Sequence, residues 1–262
     1  MEPQLEQIKT EIVTFISRTV GDAGAGGVVV GLSGGIDSSL VATLCVRALG
    51  REKVLGLIMP EEHQKDGGHT MNAVALAEKL GIEHKLIVIS PMVAELEKHL
   101  PKNAGELSKA NIRPRVRMAL LYEHSNALNL LVAGTGNKSE ETIGYFTKWG
   151  DGGVDFLPIG NLYKTHVRAL ARQVGVPQGI IDAPPTAGLW HGQTDEGEMG
   201  VSYEKLDRIL YCLVELKLTE KGAAEESGEE FETVRKVAGM MRKAGHKLRV
   251  PPVCKVRAPR LL

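Results

Sequence analysis

The chain has 262 residues, 43% of them hydrophobic, with 32 Lys plus Arg against 32 Asp plus Glu and a formal net charge of zero. That length suits one large domain with a sizeable core, and the balanced charge excludes nucleic-acid or membrane binding driven by bulk charge, so any anion site must be local. Cys45, Cys212 and Cys254 are far apart and form no CxxC pair, which argues against zinc or a disulfide framework and for reduced, buried thiols in a cytoplasmic protein.

The opening MEPQLEQIKTEIV carries acids and amphipathic spacing, unlike a signal peptide. No apolar stretch approaches the ~20 residues that span a bilayer. Leu5, Ile8, Ile12, Val13 and Ile16 recur at helical spacing and predict a helix over 3–19. A glycine-rich gap then yields to the apolar strand VVVGL (28–32). Further strand-like runs lie at 54–59, 85–90 and 129–134, with helical patterns at 38–49, 69–80 and 115–127 between them. Alternating apolar strands and helices predict an α/β fold, a Rossmann-like open parallel sheet with helices on both faces. Residues 134–164 are aperiodic and rich in glycine, a texture usual for functional loops. Their interleaved Tyr145, Phe146, Trp149 and Phe156 want a surface to pack on and argue against disorder. A helix over 165–174, a second aperiodic stretch at 182–200 and closing helices at 201–217, 218–226 and 229–244 follow, then a basic tail. The glycine and proline loops are expected to interrupt one sheet without separating two cores.

The stretch SGGIDSS (33–39) ends the first strand and opens a helix, where an open parallel sheet binds its ligands. Gly34 and Gly35 permit a tight turn and close backbone approach. Freed amides, the Ser33, Ser38 and Ser39 hydroxyls and the helix dipole would together grip a phosphate. The bland alternative is that Asp37 or Ser38 merely caps the helix. The loop lacks the lysine of a Walker A motif and is not GxGxxG.

SGGIDSS after an apolar strand resembles the loop of the PP-loop ATP pyrophosphatases, which have an adenine nucleotide alpha hydrolase-like fold. RPRVRMALLY (113–122), GTGNKSE (134–140), GYFTKWGDGGVDFLPIGNLYKTHV (144–167) and PTAGLWHGQTDE (185–196) resemble, in order, segments of the ammonia-dependent NAD synthetase family. The likeness covers most of the chain. It implies two steps: the nicotinate carboxylate of deamido-NAD attacks the α-phosphate of ATP with release of pyrophosphate, and ammonia then displaces AMP. It implies Mg²⁺ on Asp37 and Glu140, since a hard cation favours carboxylates and retained waters. ATP would meet Gly31, Leu32, Ser33, Gly34, Gly35, Ile36, Asp37, Ser38, Thr135, Lys164 and Thr186. Deamido-NAD would meet Arg115, Lys148, Asp155, His246 and Lys247.

Ammonia arrives mostly as ammonium, so a carboxylate near the adenylate, Asp151, is expected to take the proton. Trp149 and Tyr145 are candidates to stack on the pyridine ring. Arg113, Arg115 and Arg117 alternate at a helix start and repel one another unless an anion shares them. Loops 144–160 and 183–200 are expected to act as lids that keep water from the adenylate. Residues 1–32 are too few for a glutaminase before the phosphate loop, so a single synthetase domain over 1–262 is expected; the resemblance also implies a homodimer. EEHQKDGGHT (61–70) and Pro114 depart from the commonest family pattern. Two other readings stand beside this one: a ligase of the same class with another acceptor, and a nucleotide sensor without turnover. The neutral charge speaks against an RNA acceptor.

Overall fold

The structure is a computed structural model that describes residues 2–65, 67–186 and 194–256. Its centre is a four-stranded parallel sheet in the order β3-β2-β1-β4, formed by β1 (Gly27–Gly31), β2 (Val54–Ile58), β3 (Glu83–Leu86) and β4 (Leu130–Ala133). Helix α1 (Glu2–Asp22) precedes β1, and between the strands lie α2 (Ile36–Leu49), α3 (Gly68–Leu80), α4 (Ser90–Glu97), α5 (Glu106–Ala110) and α6 (Ile112–Leu128). After β4 come α7 (Lys138–Ile143), α8 (Lys164–Val174), α9 (Gln178–Ile181), α10 (Asp195–Met199), α11 (Tyr203–Leu210), α12 (Glu220–Ser227) and α13 (Phe231–Ala244).

The continuous valine run of β1 is explained by burial on both faces. Val28 and Val30 pack with Ile16 of α1, Leu40 of α2, Leu76 of α3 and Leu170 of α8, whereas Val29 points the other way onto Val93 of α4 and Val116 of α6. This alternation is the period-two geometry of a strand. Full burial of each valine contributes about 1.5–3 kcal/mol relative to exposure. The sheet is open, and its carboxyl edge carries the loop that follows β1.

Three elements depart from expectation. β3 begins two residues before the expected run and stops at Leu86; α4 follows from Ser90, with Pro91 in its first turn. The helix expected over 201–217 leaves α-geometry at Tyr211, widens into one π turn over Tyr211–Glu215, and ends where Lys217 turns left-handed (φ 54°). A second core also exists: Tyr203, Leu206, Ile209 and Leu210 of α11 join Val234 and Val237 of α13 and Ile143 of α7 in a cluster of their own. The expectation of one undivided core is corrected accordingly. Its cause is the amphipathic spacing of α11 and α13, whose apolar faces meet each other and α7, away from the strands. Gly144 ends α7 at φ 71°, and a Cβ there would stand 2.5 Å from Ala244 Cβ, so glycine lets α13 close onto α7. Of the cysteines, Cys45 and Cys212 are buried thiols, but Cys254 is exposed.

Candidate active site

The turn after β1 is shaped by its own side chains. Gly34 has φ 78°, and a Cβ on it would lie 1.9 Å from the His69 carbonyl oxygen, so this residue must be glycine on two counts. Ser33 N–H donates to Ser38 Oγ (3.2 Å), Gly35 N–H donates to Ser33 Oγ (3.2 Å), and the Ser38 and Ser39 hydroxyls donate to Gly35 O (3.1 and 2.8 Å). The buried Ser38 and Ser39 therefore hold the turn together, and neither lines the cleft. Gly34 likewise shapes the turn without lining the cleft. Gly31, Leu32, Ser33, Gly35, Ile36 and Asp37 do line it. The N-cap of α2 is Gly35, without a side-chain cap, so neither Asp37 nor Ser38 is spent on capping. The first amides of α2 lack intrahelical acceptors and meet the positive end of the helix dipole, a ready anion site.

Below this loop lies a buried charge centre. Lys164, 1% exposed at the start of α8, gives its ammonium to Asp37 Oδ2 at 2.6 Å and Glu140 Oε1 at 3.0 Å. Asn137 Nδ2 donates to the other Asp37 oxygen at 2.9 Å, while Asn137 Oδ1 accepts from Glu140 N–H at 3.1 Å and so caps α7. The Tyr203 hydroxyl stands 3.1 Å from Glu140 Oε1 and 2.9 Å from Asp195 Oδ2. Among the described residues Asp195 Oδ1 is buried with no hydrogen-bond partner, and the nearby Tyr145 hydroxyl donates to Glu198 at 2.7 Å. Burial raises the Glu140 carboxyl above its ordinary value, against the pull of Lys164. Burial raises Asp195 likewise. Burial alone would lower Lys164, but Asp37 and Glu140 outweigh it and hold the ammonium charged.

The cleft above has a volume of about 850 Å³ and runs from the sheet edge to the C-terminal tail. Thr135, Glu140, Lys148 and Asp151 line it, as do Arg115, Thr186, His246 and Lys247. Arg115 is exposed there and has no hydrogen-bond or ion-pair partner among the described residues. Its neighbours are different. Arg113 pairs with Glu61 at 2.8 Å and Glu97 at 3.3 Å, and Arg117 donates to Met59 O at 2.9 Å. Acids and a carbonyl of the chain itself thus relieve the repulsion of the arginine triplet, and only Arg115 is left for a ligand. The same Glu61–Arg113 pair accounts for one acid of the unusual 61–70 segment.

Lys148 Nζ donates to His246 O at 2.8 Å, and Lys247 Nζ donates to the carbonyls of Gly144 and Phe146, each at 2.7 Å. These bonds stitch the tail across α7 and its following loop. Asp151 accepts Thr147 N–H at 2.9 Å. Its carboxyl faces the cleft, and the surrounding protein wall raises it above the ordinary carboxylate range despite that backbone bond. Behind it, burial and the Asp151 charge push Glu141 up to about 7.

Asp155 is not with the other acceptor-binding candidates. It lies outside the cleft lining, where its carboxylate accepts Val132 N–H at 2.7 Å and the Tyr122 hydroxyl at 3.1 Å. Trp149 stays exposed at φ 58°, away from the cleft lining and under Lys148 Nζ, 5.5 Å from its ring centroid. Tyr145 does line the cleft. Part of the expected lid, 187–193 with AGLWHGQ, lies outside the described residues. Sequence reading missed Asn137, Tyr203 and Asp195. Asn137 had a signal, because Asn-x-x-Glu is a capping-box spacing; the other two had none.

A self-braced glycine loop at the carboxyl edge of a parallel sheet, set above a lysine gripped by two carboxylates, defines a nucleotide-binding α/β protein equipped for phosphate chemistry. The chain belongs to the NAD synthase family, whose profile matches residues 8–251. It is 52% identical over 255 residues to an NH(3)-dependent NAD(+) synthetase of Archaeoglobus fulgidus, covering 96% of this chain and 98% of that protein. Two solved structures are close in shape. An NMN synthetase from Francisella tularensis has a TM-score of 0.82 at 32% identity, covering 96% of this chain and 99% of that one. An NH3-dependent NAD synthetase from Campylobacter jejuni, in complex with nitrate, has a TM-score of 0.81 at 33% identity, with the same coverage.

Proposed function

We propose that the chain is an ammonia-dependent NAD synthetase whose chemistry is organised around Lys164. The observation that carries the assignment of roles is the Lys164–Asp37–Glu140 centre beneath the glycine loop. In the first step a carboxylate oxygen of deamido-NAD bonds to the α-phosphorus of ATP and the bond to pyrophosphate breaks. The amides of Ile36 and Asp37 then receive the leaving phosphates, and the Lys164 ammonium offsets the charge that builds on them. In the second step ammonia nitrogen bonds to the acyl carbon and AMP leaves. Asp151, on the cleft wall, takes the proton that ammonium must lose.

Mg²⁺ fits the residues present. Asp37 and Glu140 bring hard oxygen donors onto one ammonium, and Asp195, joined to them through the Tyr203 hydroxyl, adds a buried oxygen without a partner among the described residues. Among the described residues no three acid, histidine or cysteine side chains form a closed metal cage, which suits an ion that usually takes one or two carboxylates with water and phosphate oxygens. Asp37 and Glu140 would hold it; bound there, it would screen phosphate charge.

Arg115, Lys148, His246 and Lys247 would bind deamido-NAD, with Thr135 and Thr186 on the ATP side. Asp155 would join them only where its exposed edge meets ligand at a subunit boundary, in line with the homodimer that the resemblance implies. We propose a synthetase domain over 1–262 that works in the cytoplasm, as the family resemblance implies. No helix among the described residues is long and apolar enough to cross a membrane.

The test is to incubate the protein with ATP, Mg²⁺, deamido-NAD and ammonium, and to follow pyrophosphate, AMP and NAD. Stoichiometric formation of all three, dependent on ammonium, is expected. Nicotinate mononucleotide replaces deamido-NAD in a parallel arm. Pyrophosphate release with the mononucleotide alone would move the acceptor assignment, and release with neither would overturn the function.

A further inference from the structure

One face of α11 grips Lys164 at both ends. At the backbone end, Lys164 N–H donates to Ser139 Oγ at 2.9 Å, and the Ser139 hydroxyl donates onward to Asp207 Oδ1. The other oxygen of Asp207 accepts Thr165 N–H at 2.8 Å. These two amides open α8 and have no intrahelical acceptor of their own. At the ammonium end, the Tyr203 ring centroid lies 4.8 Å from Lys164 Nζ, and the Tyr203 hydroxyl reaches the Glu140 oxygen that Lys164 also holds. Tyr203 and Asp207 stand four residues apart, hence on one helical face. Both are buried, at 0% and 5% exposure, and Tyr203 belongs to the second core, away from the sheet.

Resting on the reading that Lys164 meets the phosphates of the donor, we propose that Tyr203 and Asp207 are positioning residues for adenylyl transfer. Like Lys164 itself, neither lines the cleft; both act on the reaction only through that lysine and the Asp37 and Glu140 carboxylates it holds. A lysine stem is flexible and does not fix its own charge in space. Asp207 fixes where the stem starts, and Tyr203 fixes where the ammonium and the Glu140 carboxylate end. The second core thereby becomes the foundation of the reaction centre, although the phosphate loop grows from the first. A misplacement of about 1 Å at a reacting group can cost on the order of a hundredfold in rate, which is the scale on which such a buttress acts.

The experiment is single-turnover pyrophosphate release from ATP and deamido-NAD without ammonium, in the wild type, Tyr203→Phe, Asp207→Asn and the double variant. Each single variant is expected to slow the rate constant about 10- to 100-fold. The amplitude, which counts correctly folded sites, and the half-saturating deamido-NAD concentration stay within about twofold of wild type. The double variant is about as slow as the slower single, because both residues act through one lysine. Lost amplitude with a wild-type rate constant would show that the pair only scaffolds the fold, and would overturn the proposal. Should a variant fail to fold by near-UV circular dichroism, Ser139→Ala removes only the link between Lys164 N–H and Asp207 and answers the same question. Absence of pyrophosphate from the wild type would strike the functional reading itself, a result distinct from any difference among variants.

Discussion

The sheet half of the molecule and the helical half behind it serve the cleft in different currencies. From β1 through β4 the contribution is mostly backbone: a turn, the first amides of α2 and the edge of the strands, with Asp37 as the principal side chain. From α7 onward it is mostly side chains: Glu140, Lys164, Asp151 and, from further back, Tyr203 and Asp207. Backbone sites are fixed by glycine and packing, so they fail by steric insult. Side-chain sites are fixed by charge pairing, so they fail when one partner is neutralised.

Substitutions break this contrast in graded ways. Lys164→Met should have the largest effect, lowering pyrophosphate release by about a thousandfold through loss of charge stabilisation. It also leaves Asp37 and Glu140 facing each other, so chemical denaturation should show a loss of about 3 kcal/mol. Asp151→Asn should leave adenylate formation intact and slow its amidation by about a hundredfold. In the wild type that amidation should weaken as pH falls through the raised Asp151 pKa, since the base must be ionised; the Asn variant should be flat over the same range. An amidation rate equal to wild type in the Asn variant would remove Asp151 from the mechanism.

Gly34→Ala tests the backbone half. Its Cβ collides with a carbonyl oxygen in a left-handed conformation, and about 1–3 kcal/mol of strain is expected. Calorimetry should show ATP binding weakened, with deamido-NAD binding little changed. Arg115→Ala should raise the deamido-NAD KM about tenfold, the loss of one charge-assisted contact, and leave the ATP KM in place. The smallest effect belongs to Glu141→Gln. Glu141 has its folded pKa raised from 4.5 to about 7, so its ionisation opposes folding, and stability is lost as pH rises between those values. The Gln variant should match wild type in melting temperature at pH 4 and exceed it by about 3 °C at pH 8. A melting-temperature difference that does not grow with pH would refute the burial of that charge.

The centre of the sheet was legible because β1 and β2 are buried on both faces: Val28–Val30 and Val54–Ile58 leave apolar runs that suit a covered parallel sheet, whereas β3, largely exposed, did not keep its expected bounds. The loop SGGIDSS and the polar blocks after residue 134 were legible as chemistry, since their residue types suit phosphates. What stayed hidden were partnerships across long separations. Nothing local tells that Arg113 belongs to Glu61, that Lys247 spends its protons on two carbonyls, or that Ser38 and Ser39 brace the turn. The second core was hidden for a related reason, as helical spacing shows that a face is apolar but not which neighbour it meets. Tyr203 and Asp207 read as ordinary members of an amphipathic helix until the fold brought α11 against α8.

The turn that carries Gly34 is wedged on the first turn of α3 and knotted by its own serines, so its shape is set before any nucleotide arrives. Order that is already present need not be imposed at the moment of association. A cup so prepared cannot distinguish the tail of an incoming donor from the same two phosphoryl units once they are cut free. Inorganic pyrophosphate should therefore compete with ATP for it, and the forward reaction should run best where a hydrolase keeps that by-product scarce.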